Sequence, residues 1–207
     1  MSITDLAAAP NGDIYALAYS IDTPTGSVVR DLVMRYEPNT LEARWTQLYQ
    51  SGTKVLFSSL AVDEFNRSYL GGGFEGSMTF GSTTLTASGS EESGLILALN
   101  VDGSTRWAKK AGVEGYLTDI STREGHLVAA AKGKPEGSQE SGGYLLSFDL
   151  SGKSRFQIRT GVERPWDIQL SPFKQVAVLT PADDFDTHAG YTSDPFFISL
   201  YDRVTGA

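Results

Sequence analysis

Four segments of this chain open in the same way: Thr4-Asp5-Leu6-Ala7, Ser58-Ser59-Leu60-Ala61, Thr118-Asp119-Ile120-Ser121 and Trp166-Asp167-Ile168-Gln169. A short turn and an apolar second strand follow each, at Ile14 to Tyr19, Ser68 to Phe74, Leu127 to Lys132 and Val176 to Thr180. A third strand follows at Leu32 to Tyr36, Leu95 to Leu99, Tyr144 to Phe148 and Phe197 to Tyr201. Three copies continue through a polar turn into a fourth strand that carries an aromatic residue: Trp45, Trp107 and Phe156. A unit of four short strands in about fifty residues cannot bury both of its faces alone, so the copies must stack. This predicts an all-β fold, a β-propeller of about four four-stranded blades with the last incomplete, as an arc or fragment of a larger propeller. Residues 1–207 form a single propeller region with copies at roughly 3–55, 56–115, 116–164 and 165–207.

Composition agrees. Glycine supplies 22 of 207 residues, above the usual share of roughly 7%, and without a collagen period this means many tight turns. Turn pairs stand at Asn11-Gly12, Asp102-Gly103, Glu124-Gly125 and Ser151-Gly152. A hydrophobic share of 40% with 20% charged residues suits a packed core and not a disordered chain. Variable segments lie between second and third strands, at Ser20 to Asp31, Glu75 to Ser93, Gly133 to Gly143 and Pro181 to Pro195, and are expected on one rim.

Charge and cysteine content exclude several classes. Seventeen Lys and Arg against 25 Asp and Glu leave a net charge of −8, which disfavours a nucleic-acid partner. No apolar run is long enough to span a membrane, so membrane insertion is not expected. The start of the chain, with polar Ser2 and Thr4, shows no signal peptide. The chain has no Cys and two His, so disulfides, thiolate chemistry and a His-rich zinc site are unsupported. No Gly-x-Ser-x-Gly elbow occurs, and Gly71-Gly72-Gly73 lacks the Lys-Ser/Thr and the helix of a phosphate loop.

Residues 68 to 112 combine Leu70-Gly71-Gly72-Gly73-Phe74-Glu75-Gly76, Phe80-Gly81, Asp102-Gly103 and Trp107. This stretch resembles the bacterial β-propeller repeat of large secreted and surface proteins. The resemblance is close in the second copy, fair in the first and third, and partial in the fourth. Only the second copy has the Phe-Gly segment. The resemblance implies a propeller and an extracellular or cell-envelope location, and it implies no particular activity.

Candidate sites follow from the repeat. Asp5, Asp119 and Asp167 share one repeat position, with Ser59 in the remaining copy. In a propeller this strand lines the central channel, where three carboxylates could hold calcium. The favoured reading is that each Asp accepts hydrogen bonds from turn backbone amides beside its strand. No other cofactor is indicated. Asp184, Asp186 and His188 alternate in an acidic loop that resembles a calcium loop only loosely, and His126 reads as structural. Trp45 and Trp107 read as packing between blades. Trp166, specific to one copy, and Tyr191, in the fourth insert, are the candidate ligand-binding aromatics.

The function expected is a noncatalytic scaffold or binding module engaging protein or glycan through rim loops. The alternative is a propeller enzyme, a hydrolase or lyase with an acidic or metal site at the channel mouth. A third reading is a rigid spacer within a longer protein. Pairing with another chain, or with further blades, would close the propeller.

Overall fold

The structure is a computed structural model that describes residues 1–21, 29–49, 55–88, 92–181, 196–203, 205 and 206. The described residues contain no helix and are built from antiparallel sheets. The first sheet runs in chain order, β1 (Ser2–Ala8), β2 (Ile14–Ile21), β3 (Val29–Tyr36) and β4 (Ala43–Tyr49). The second unit comprises β5 (Val55–Val62), β6 (Ser68–Phe74), a hairpin β7 (Ser77–Phe80) and β8 (Thr83–Thr86), β9 (Ser93–Leu99), and the first part of β10 (Thr105–Arg123). The rest of β10 opens the third unit, completed by β11 (His126–Pro135), β12 (Gly142–Asp149) and β13 (Ser154–Arg159). The fourth unit holds β14 (Asp167–Leu170), β15 (Gln175–Pro181) and β16 (Phe196–Asp202).

The expected boundary at 115/116 therefore falls inside one strand. Backbone pairing carries β10 from β9 to β11 without a turn, which fuses the second and third units into one seven-stranded sheet. The change of partner comes where Gly112 and Gly115 take positive φ, 84° and 140°. There a Cβ on Gly115 would lie 2.2 Å from the Lys132 carbonyl oxygen, so only glycine fits. The hairpin β7–β8 lies inside the second insert. Met78, Phe80 and Ala87 turn inward, and hydroxyl pairs Ser77–Thr86 and Thr79–Thr84 cap its outer face.

Apolar layers separate consecutive units. Tyr15, Leu17 and Val33 pack on Phe57, Leu60, Leu95 and Leu97 between the first and second. Tyr69, Ile96 and Ala98 meet Leu117, Ile120, Leu127 and Leu146 between the second and third. Val128, Ala130 and Leu145 meet Ile168, Val176 and Val178 between the third and fourth. The alternation of apolar residues on both faces of each strand is thereby explained: each strand feeds two layers.

An aromatic contact recurs at the outer edge of each junction. The ring of Trp45 lies against the turn glycine Gly103 of the next unit, Trp107 against Gly152, and Phe156 against Gly206. These glycines have φ near 80° (84°, 85° and 77°). A Cβ on Gly103 would come 2.9 Å from the Trp45 ring. Trp45 Nε1 also donates to the Val101 carbonyl at 2.9 Å, and Trp107 Nε1 to Leu150 at 3.1 Å. Phe156 has no N–H to offer. At that junction Arg203, in the position of Val101 and Leu150, reaches back from the fourth unit to Glu124 of the third at 2.6 Å.

Gly125 shares the positive φ, 76°, but nothing would lie within 4 Å of its Cβ, so it isolates backbone strain from the ring contact. Gly125→Ala is expected to cost about 1 kcal/mol, and Gly103→Ala about 3 kcal/mol once displacement of Trp45 is added. Urea unfolding of the two variants checks the difference as a shift in midpoint at unchanged slope.

Candidate functional site

The inner strand of each of the first three units carries a β-bulge just before the repeated Asp or Ser. Register shifts fall between Ile3 and Asp5, Phe57 and Ser59, and Leu117 and Asp119, leaving Thr4, Ser58 and Thr118 as the extra residues. In the fourth unit Trp166 precedes Asp167 and donates its N–H to the Leu179 carbonyl. A bulge re-aims the side chain that follows it, and here that side chain crosses to the next unit. Asp5 Oδ2 accepts from Leu60 N–H at 2.7 Å, Ser59 Oγ from Ile120 N–H at 3.2 Å, and Asp119 Oδ2 from Ile168 N–H at 2.7 Å. Each donor is the residue after the repeated position in the following unit.

Side chains extend the same line. Ser59 Oγ lies 2.5 Å from Asp119 Oδ1 and 3.2 Å from Asp5 Oδ2. Its one proton serves one carboxylate at a time, and the shorter contact is to Asp119. Ser58 Oγ donates to the Leu117 carbonyl at 2.6 Å. Burial pushes the Asp119 carboxyl up to about 7, and a hydrogen bond with the Asp167 carboxyl adds to the rise, against the lowering effect of Ser59 and the Ile168 and Ile120 amides. Two carboxyls this close cannot both ionise cheaply. Asp31, buried between the first two units with one bond from Phe57 N–H, is likewise raised to about 7 by burial.

The three aspartates expected as calcium ligands thus stand in a line rather than in one cage. Both oxygens of Asp5 accept backbone N–H groups, from Leu6 and Leu60, and both oxygens of Asp119 are engaged. Among the described residues no group of three or more His, Cys, Asp or Glu could hold a metal ion. The Asp184 to His188 loop and Tyr191 lie outside the described residues.

A cavity of about 430 Å³ opens at the tips of the inner hairpins, lined by residues 8–10, 62–64 and 122–124 from three units. Ala8, Ala9, Pro10 and Val62 give it an apolar floor, and Asp63, Glu64, Arg123 and Glu124 are its charged members. The tips are tied together. Tyr15 donates to the Asn66 carbonyl at 2.7 Å, Asn11 N–H to Asn66 Oδ1 at 3.1 Å, and Gly125 N–H to Glu64 at 3.1 Å. Asp63 is buried and bound by Arg67, Tyr69 and the amides of Phe65 and Arg67. Glu124 is held below the usual carboxylate range, chiefly by its hydrogen bond with Arg203.

Two exposed aromatics stand at the same hairpin position on this rim, Phe65 and Phe173. Each precedes a residue of positive φ, Asn66 at 61° and Lys174 at 63°. Trp166 is partly exposed but does not line the cavity, because it sits at the opposite end of its inner strand. The rim that bears the cavity is also opposite the described parts of the second and third inserts. Sequence reasoning passed over Phe65 and Phe173 because the hairpin tips vary in length between copies. It also passed over the Arg before each outer aromatic: Arg44, Arg106 and Arg155. Arg44 pairs with buried Asp13 at 3.2 Å and Arg106 donates to the Leu150 carbonyl at 2.9 Å.

No protein-family model matches the chain, and no curated protein matches it. Among solved structures, three variants of a Synechocystis apocarotenoid oxygenase are similar to it. They share 9%, 10% and 10% identity with TM-scores of 0.46, 0.45 and 0.44. In each case 97% of this chain and 47% of the other is covered, so the chain spans about half the length of the structures it matches.

Two outcomes test the inner-strand line. Asp5→Ala removes the acceptor for the Leu60 amide and is expected to cost about 1–2 kcal/mol, read by urea unfolding. A carboxyl raised from its ordinary value to about 7 in the folded protein favours folding while it holds its proton. Stability should therefore fall as pH rises from about 4 to about 7, and Asp119→Asn and Asp31→Asn should each flatten that slope. A wild-type midpoint that is level or rising across this window overturns the assignment.

Proposed function

We propose that the four units are consecutive blades of a β-propeller and that the chain is a noncatalytic scaffold or binding module of a bacterial surface or secreted protein. Support for the blades comes from the repeated junction: the same bulge, amide bond and apolar layer join each unit to the next. Support for binding over catalysis comes from one observation: the carboxylates at the cavity are each engaged by the protein. Asp63 is bound by Arg67 and Tyr69, Glu124 by Arg203, and Glu64 by the Gly125 amide. A general acid or base needs a side chain within reach of a substrate proton, and these are committed to holding the hairpin tips. What the rim offers instead is an apolar floor, with Phe65 and Phe173 exposed at hairpin tips of the second and fourth units. Exposed aromatics with adjacent charge suit a glycan face or a protein side chain.

A glycan array probed with labelled protein tests this reading. One glycan class is expected to bind, and a Phe65→Ala/Phe173→Ala double variant should lose about tenfold or more in affinity with its unfolding midpoint unchanged. Equal binding by the double variant overturns the rim assignment. Turnover in a hydrolase or lyase screen, abolished by Glu64→Gln or Glu124→Gln, overturns the noncatalytic reading in favour of a propeller enzyme.

A further inference from the structure

Three junctions join the four units, and they differ in what crosses them. Continuous strand pairing through β10 carries the second. Across the first, Tyr15 and Asn11 reach Asn66, and Arg35 and Trp45 reach the Val101 carbonyl, so carbonyl and amide oxygens act beside Asp5 and Asp31. Across the third no strand pairs with its neighbour, because β14, β15 and β16 form a sheet of their own. Tyr201 donates to Thr160 in the connecting segment at 3.1 Å. Two bonds between the units themselves end on carboxyls: Ile168 N–H on Asp119 at 2.7 Å and Arg203 Nη2 on Glu124 at 2.6 Å.

These two carboxyls need opposite charge states. Asp119 faces the Asp167 carboxyl of β14, the Ser59 hydroxyl of β5 at 2.5 Å, and Ala130 of β11; Asp5 of β1 lies beyond, 3.2 Å from the same hydroxyl. A hydrogen bond between two carboxyls requires a proton on one of them. Glu124 must instead be ionised. It takes the guanidinium of Arg203, which is 3% exposed and whose Nε and Nη1 have no partner among the described residues. Arg123 Nε stands 3.6 Å from its other oxygen. His126 shares this corner with Arg155, Arg203, Glu124 and Asp202, and burial together with the two guanidiniums holds its imidazole below the ordinary range.

We propose that the junction between the third and fourth units is a proton-gated seam, which closes with a proton on Asp119 and opens, ahead of the rest of the molecule, as that proton passes to water. The open seam frees Asp119 to ionise at its ordinary value, whereas the closed seam keeps the proton up to about 7. Opening therefore releases one proton between about pH 4 and about pH 7, and its equilibrium constant should rise about tenfold per pH unit in that range and level off above it. Glu124 sets the acid limit: its carboxyl lies below the ordinary range in the closed seam, so its tie is lost only as the pH falls through that depressed value. His126 acts in the opposite sense, since a depressed imidazole is stabilised as the pH rises.

Amide hydrogen exchange of the full chain between pH 4.5 and pH 6.5, corrected for the intrinsic chemical rate, tests the seam. The amides of β14 and β15 should be less protected than those of β6 and β9, and their opening constant should rise with pH by up to about tenfold per unit. Asp119→Asn should remove that rise, because a neutral amide oxygen accepts from Ile168 without a proton. Asp119→Ser repeats the test with the residue type that already serves at Ser59, should the first variant not fold. Asp31→Asn, at the other carboxyl raised by burial, should leave the rise in place, and His126→Gln should leave it or steepen it. Protection of β14 and β15 equal to that of β6 and β9 at pH 6.5 overturns the proposal. So does a rise that survives both Asp119 variants, or one that disappears in Asp31→Asn.

Discussion

The stack depends on one hydrogen bond made three times: an inner-strand side chain accepting the backbone N–H of the next unit. Hydrophobic layers between sheets tolerate sliding, since apolar contact has no direction. The bond from Leu60 to Asp5, from Ile120 to Ser59 and from Ile168 to Asp119 does not. It sets the height of one inner strand against the next, and with the strand period of two it decides which residues enter the layer. Because the acceptor follows a bulge, its carboxylate leaves the sheet sideways and meets an amide that its own ladder does not use. An ionised or hydroxylic acceptor at a half-buried amide contributes about 1–3 kcal/mol, repeated at each junction. The aromatic ring on the turn glycine then fixes the outer edge.

Charge decides which acceptor each unit carries. Four aspartates in sequence along the inner strands would place carboxylates side by side at each step. Ser59 interrupts the series and lies between Asp5 and Asp119. The one adjacent pair left is Asp119 with Asp167, and that is where the carboxyl is raised to about 7. The same junction departs from the others at its outer edge. Phe156 replaces Trp and loses the indole donor, while Arg203 supplies an ion pair to Glu124 from the opposite side. Arg203 is buried, and its Nε and Nη1 have no partner among the described residues, so this substitute is electrostatically expensive. The third junction is thus held by the two least economical versions of a shared design.

Much of this was legible in the chain. The four openings and three sets of following strands placed fifteen strand segments close to where they lie, two of them within β10, because strand formation here follows local alternation and turn glycines. The position of Asp5, Asp119 and Asp167 was also legible; the partners of Asp5 and Asp119 were not, because the amide that each accepts sits some fifty residues on and belongs to a strand whose stagger no local pattern encodes. Of the two readings, a cation site and the favoured amide acceptance, the structure agrees with the second at Asp5, where both oxygens take backbone N–H groups, and at Asp119, where one does. The continuity of β10 was hidden because Gly112 and Gly115 look like a turn, whereas they bend a strand that keeps its pairing. The cavity was invisible for a simpler reason: it is made of three hairpin tips of unequal length, each unremarkable alone.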